Sequence, residues 1–215
     1  MLGDEACYRI SSYHRMPPFL MSIASDTDLW MFITSGGGLT AGRRNPDGAL
    51  FPYETEDKLH DGHHHTGPIT LLRVRGADGL EVLWEPFSAQ TAEDPRLGRN
   101  LYKNILGNQL TFEEIHHGLG LTFRYRWSGC EEWGLVRTAT LVNDGGRALS
   151  VDVLDGLRNV LPHGAPLALY QHSSVLVDAY KRVDLDTATG LAIFSLTLSF
   201  NLAPGVALGD AVARV

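Results

Sequence analysis

Leu119-Gly120-Leu121-Thr122-Phe123-Arg124-Tyr125-Arg126-Trp127 is the clearest alternation of apolar and polar residues in the chain. Successive side chains of a strand point to opposite faces. Leu119, Leu121, Phe123, Tyr125 and Trp127 therefore share one face, and Thr122, Arg124 and Arg126 share the other. A strand with one buried face belongs to an antiparallel sheet packed on a core. Its neighbours extend the pattern. Leu110–Ile115 before it and Leu135–Val142 after it are strand-like, as is Leu149–Leu154. Asn143-Asp144-Gly145-Gly146 separates the last two and predicts a hairpin, since these residues tolerate positive φ.

Further out, Phe19–Ala24 and Leu29–Thr34 have the length of paired, buried strands. Ile69–Arg75 and Leu80–Trp84 form a second predicted hairpin around Gly76-Ala77-Asp78-Gly79. Pro86–Asn108 reads as irregular, with one helical turn near Leu101–Ile105. Asp155–Gly164 reads as a polar connection, Leu167–Val177 and Leu191–Phe200 as strands, and Val206–Val215 as another strand after the turn at Ala203-Pro204-Gly205. No amphipathic helix of three or more turns is evident. Strands, hairpin turns and glycine-rich connections predict an all-β fold, an antiparallel β-sandwich.

The 215 residues are 44% hydrophobic and 20% charged, enough for one core and a single domain over residues 1–215. A formal charge of −7 with no basic stripe argues against nucleic acid and anionic membrane as partners. The N-terminus lacks the apolar segment of a signal peptide, and no apolar run reaches the roughly 20 residues of a membrane span. Cys7 and Cys130 are too few for a disulfide framework or a thiolate metal site, and read as reduced thiols of a cytoplasmic protein.

The chemistry-bearing residues concentrate between Phe19 and His65. Ser35-Gly36-Gly37-Gly38 breaks the strand pattern, and a long polar connection follows, with Arg43-Arg44, Asp61 and His60, His63, His64 and His65. A loop this long in a compact domain is usually functional or holds a contact. His60, His63, His65 and Asp61 have the donors for zinc or iron, but their spacing matches no rigid motif, so no metal is assigned. Glu113-Glu114 and Glu131-Glu132 are adjacent carboxylates, and neighbours on a strand face apart, so neither is a glycosidase pair. Gly-x-Ser-x-Gly and phosphate-loop motifs are absent, and no cofactor is implied.

Four tryptophans and several arginines supply the apolar faces and planar donors that pyranose rings use. Trp30 and Trp127 read as core. Trp84, at a strand end beside Pro86, suits core or sugar platform alike. Arg43 and Arg44 suit a clamp for phosphate or carboxylate, or equally a pin to Asp47, Glu54 or Asp57. The candidate carbohydrate-binding residues are Arg43, Arg44, Trp84, Arg158 and Asn159.

Residues 36–61 (GGGLTAGRRNPDGALFPYETEDKLHD), 107–127 (GNQLTFEEIHHGLGLTFRYRW), 134–146 (GLVRTATLVNDGG) and 153–164 (VLDGLRNVLPHG) resemble the N-terminal β-sandwich region of cellobiose phosphorylase-like proteins, within the inverting glycoside phosphorylases and hydrolases. The resemblance implies a galactose mutarotase-like supersandwich, and leaves open whether 215 residues complete it. It also implies that the chain is the N-terminal part of a longer carbohydrate-active enzyme. The implied partners are carbohydrate, a downstream catalytic (α/α)6 barrel and a second copy in a homodimer. The family's catalytic acid lies in the barrel, so none is assigned here. The alternative is a stand-alone aldose 1-epimerase-like mutarotase, for which His63, His65, His116 and Glu114 are the available acid and base. A third reading is a metal-dependent enzyme built on His60, His63 and His65.

Overall fold

The computed structural model describes residues 5–76, 79–197 and 213–214. The strands are β1 (Cys7–Ser11), β2 (Leu20–Ser22), β3 (Leu29–Thr34), β4 (Leu39–Arg43), β5 (Gly67–Gly76), β6 (Glu81–Trp84), β7 (Leu97–Asn104), β8 (Gln109–His116), β9 (Leu121–Cys130), β10 (Gly134–Asn143), β11 (Leu149–Arg158), β12 (Lys181–Asp186), β13 (Leu191–Leu196) and β14 (Ala213–Arg214). Among the described residues two α-helices interrupt them, α1 (Glu56–Asp61) and α2 (Leu167–Ala179). The strands form four antiparallel sheets, ordered β1-β7-β8-β9-β10, β11-β5-β6, β2-β3-β4 and β12-β13-β14. The fold is all-β and sandwich-like.

The core lies between the five-stranded sheet and the two three-stranded sheets that contain β3 and β5. Leu121, Phe123, Tyr125 and Trp127 of β9 join Leu110 and Phe112 of β8 and Leu101 of β7 on one side. Met31 and Ile33 of β3, Leu39 and Ala41 of β4, Leu72 and Val74 of β5 and Trp84 of β6 close it from the other. Each fully buried large apolar side chain contributes roughly 1.5–3 kcal/mol. Among the described residues, none from α2, β12 or β13 joins this cluster.

Four sequence expectations are corrected. The predicted helical turn at Leu101–Ile105 lies mostly in β7, which pairs with both β1 and β8. The predicted hairpin of β10 and β11 does not form: β10 pairs with β9, and β11 with β5. Turn residues dictate a bend but not a pairing partner, and here the chain leaves one sheet for another. Asp155–Arg158, predicted as connection, is the end of β11. Leu167–Val177, predicted as a strand, is helical within α2. Pro166 precedes the helix with φ −67°, and the Leu167 amide donates to Asp47 Oδ1 at 2.9 Å, so an otherwise orphaned donor is satisfied. Ser173 interrupts the helix with φ −146° and ψ 41°. Of the predicted C-terminal strand over Val206–Val215, only Ala213–Arg214 falls within the described residues.

Candidate functional site

Strand β3 alternates cleanly. Leu29, Met31 and Ile33 are buried, while Trp30 and Phe32 turn away from the core. Gly42 stands opposite Trp30 and Thr40 opposite Phe32. A Cβ on Gly42 would lie 2.6 Å from Trp30 Cζ2, so the glycine lets the indole lie directly on the neighbouring strand. The Trp30 and Phe32 rings are 6.5 Å apart and tilted by 36°, and Tyr53 meets Trp30 edge-on at 5.7 Å. Phe32 is 40% and Tyr53 49% exposed. Together they form an aromatic shelf in which Phe32 and Tyr53 are exposed, while Trp30 is half-buried with its Nε1 enclosed.

Arg43 and Arg44 follow Gly42 at the Trp30 end of the shelf. Arg43 donates Nε and Nη2 to Asp28 Oδ1 at 2.9 and 2.7 Å, and Arg44 donates Nε to Asp28 Oδ2 at 3.2 Å. The arginines are pinned to Asp28 rather than to Asp47, Glu54 or Asp57. The hydrogen bond from Arg43 is the largest cause holding the Asp28 carboxyl below the usual range. Arg44 sits at φ 60° with its side chain 83% exposed, and its terminal nitrogens have no hydrogen-bond partner among the described residues.

The other sequence-derived candidates lie apart from this shelf. Trp84 is 3% exposed, and its Nε1 donates to Glu114 Oε1 at 2.7 Å. Its ring is therefore core and offers no face to a sugar, whereas Trp30, read as core, borders the open shelf. Arg158 donates Nη1 to the His64 carbonyl at 2.6 Å and Nη2 to the His63 carbonyl at 2.9 Å. Asn159, at φ 58°, donates Nδ2 to Thr66 Oγ1 at 3.0 Å. Both residues clamp the histidine segment to the end of β11.

That segment packs on the glycine run. A Cβ on Gly38 would lie 2.2 Å from the Leu59 carbonyl oxygen, and one on Gly36 would lie 3.8 Å from the His63 ring. His63 Nδ1 lies 3.0 Å from the His60 carbonyl, and the His63 and His64 rings are 3.6 Å apart. No cluster of three metal-ligating groups occurs among the described residues, so His60, His63 and His65 do not converge on a common point.

The carboxylates of Glu113 and Glu114 point to opposite faces of β8, as adjacent strand residues must. Glu114 accepts from Arg99 Nε (2.6 Å), Trp84 Nε1 (2.7 Å) and the Phe87 amide (2.7 Å), and is fully buried. Glu113 accepts from Arg124 Nε at 2.6 Å, Asn100 Nδ2 at 2.7 Å and Tyr102 Oη at 2.9 Å. Burial raises the Glu113 pKa, but the hydrogen bonds from Asn100, Arg124 and Tyr102 outweigh it and hold it low. His116 lies edge-on to Trp84 at 5.4 Å, and burial, with help from Arg96, pushes its pKa down.

Two open clefts, of about 210 and 250 Å³, lie beside Asn159 and beside His116. Both fall below the roughly 300 Å³ from which ligand pockets usually start. Among the described residues no helix is long and apolar enough to cross a membrane. Compared with known proteins, no family model and no curated protein matches the chain.

Proposed function

We propose that the chain is a non-catalytic β-sandwich module of a carbohydrate-active enzyme, and that it engages saccharide on the shelf of Trp30, Phe32 and Tyr53. The shelf carries this reading. Aromatic faces at strand spacing suit the apolar faces of pyranose rings, and the guanidinium nitrogens of Arg44 suit their hydroxyls. The commitment of Glu113 and Glu114 to arginines supports a binding role over bond cleavage. In the parent enzyme implied by the sequence resemblance, the module packs against a catalytic barrel. Val153, Leu154, Val175, Val183 and Leu185, all more than half exposed, supply apolar surface that such packing would cover.

The test is titration of the chain with neutral oligosaccharides, read by tryptophan fluorescence, together with incubation with inorganic phosphate and a disaccharide panel. Binding without turnover is expected. Turnover by the chain alone would overturn the non-catalytic reading, and unchanged fluorescence with every saccharide would overturn the shelf. The mutarotase alternative needs an acid and a base facing one sugar. Glu114 is sealed in the core, so fresh glucose or galactose is expected to equilibrate at the uncatalysed rate in polarimetry.

A further inference from the structure

The outward face of the five-stranded sheet carries a second, different site. Antiparallel register aligns its side chains in two rows across all five strands. One row runs Ser11, Asn100, Glu113, Arg124, Thr140, and the next runs Arg9, Tyr102, Thr111, Arg126, Thr138. Neighbouring strands lie about 4.8 Å apart, so each row spans roughly 19 Å.

Asn100, Glu113 and Arg124 of the first row form a hydrogen-bonded network that Arg9 and Tyr102 of the second row join. Arg9 Nη2 donates to Asn100 Oδ1 at 3.0 Å, Asn100 Nδ2 donates to Glu113 Oε1 at 2.7 Å, and Arg124 Nε donates to Glu113 Oε2 at 2.6 Å. Tyr102 Oη donates to Glu113 from one side, and its ring lies 5.7 Å from the Arg9 guanidinium carbon. Glu113 points away from the core and is nonetheless only 2% exposed. It acts as a positioning residue that holds Arg124 by Nε, and among the described residues the terminal nitrogens of Arg124 have no partner. Arg126 stands two residues along the same face. It is exposed, and its guanidinium has no ion pair or side-chain hydrogen bond among the described residues. Thr138 and Thr140 face Arg126 and Arg124 directly from β10, and both are exposed.

Within these two rows three guanidiniums stand against one carboxylate, on a chain whose formal charge is −7; the next carboxylates, Asp144 on Thr122 and Glu5 on Asn104, lie one row beyond on either side. Arg124 and Arg126 stand about 7 Å apart along β9, close enough to converge on one oxyanion. The hydroxyls of Thr138, Thr140 and Tyr102 extend the polar surface beyond what a bare anion would use. We propose that this face binds an acidic saccharide, with Arg124 and Arg126 holding its carboxylate and the Thr138 and Thr140 hydroxyls meeting the sugar hydroxyls. The site shares no residue with the aromatic shelf and does not rest on the function proposed for it.

The test is isothermal titration of the full chain with an oligogalacturonate trimer, a neutral galactan trimer and inorganic phosphate. The acidic trimer is expected to bind at least about tenfold tighter than either of the others, and to weaken as salt rises. Arg126→Ala is expected to weaken that binding about tenfold without moving Tm, because the side chain is exposed and bonds to no side chain among the described residues. Arg124→Lys, which keeps the charge and loses the fork, is expected to weaken it as well. Trp30→Ala is expected to leave it unchanged, so loss of the shelf and loss of this face are separately visible. Equal binding of the neutral trimer, phosphate binding as tightly as the acidic trimer, no binding at all, or an Arg126→Ala protein that binds normally would each overturn the proposal.

Discussion

Glu113 and Glu114 are consecutive residues whose carboxylates end on different arginines on opposite faces of one strand, Arg124 outside and Arg99 inside. The inner pair is sealed, with side-chain exposures of 5% for Arg99 and 0% for Glu114. Removing one partner of such a pair leaves a buried charge uncompensated, at about 3–5 kcal/mol. Glu114→Gln is therefore expected to lower unfolding free energy by about 3 kcal/mol in urea denaturation. The apolar double variant Arg99→Met with Glu114→Leu is expected to lose less than the single one. A Glu114→Gln protein as stable as the parent would show that the pair is not needed.

Acid sensitivity follows from groups whose folded pKa values are depressed. The contribution of a depressed group is present above its unfolded pKa and is lost as pH falls through the folded value. Burial depresses His14 and His116, which adds a decline below about pH 6.5. The hydrogen bonds on Glu113 add a second decline below about pH 4.3. Urea melts between pH 8 and about pH 3 are expected to show both. His116→Gln is expected to flatten the upper decline, and an unaltered slope would remove His116 as its source.

Gly38 is required for steric reasons alone. It is buried in the turn between β3 and β4, and an added Cβ would meet the Leu59 backbone oxygen at 2.2 Å. Backbone cannot swing aside as a flexible side-chain tip can, so Gly38→Ala must push the α1 segment off the sheet. A loss of about 2 kcal/mol or more is expected by thermal denaturation, with faster proteolysis between residues 54 and 66. Gly62→Ala is the control, because a Cβ there meets nothing within 4 Å.

Phe32→Ala is expected to weaken neutral-saccharide binding by roughly tenfold while changing stability little, since the ring is 40% exposed. Trp84→Phe, a core change, is expected to lower stability and leave saccharide affinity unaltered. The opposite pattern would relocate the sugar site to Trp84.

Where apolar and polar residues alternated on a half-buried strand, the fold was legible. Strand β9 is the plainest example, and its sequence also marked the outward row of Arg124 and Arg126. Strand β7 was obscured because its inward position 99 is an arginine, neutralised by Glu114 on the neighbouring strand, and a charge at a core position breaks the hydrophobic period. Helix α2 was obscured because only Val177 is buried along it, so no 3.6-residue stripe appears. Trp84 was ambiguous because the acceptor that fixes its indole lies 30 residues away. Trp30 reads as core from the sequence, but Gly42, which seats its ring outside the core, belongs to the next strand. For β7, Trp84 and Trp30 the deciding partner sits on another strand and is close only after folding.

The clasp of Arg158 on the carbonyls of His63 and His64 joins residues 94 and 95 positions apart. Strand β5 likewise waits for β11, more than seventy residues downstream, to cover its second edge. On a translating ribosome, the histidine segment would emerge long before its latch was synthesised. A nascent chain halted before Arg158 is therefore exposed to trapping by chaperones or cleavage at that segment, and this risk closes only when the eleventh strand arrives.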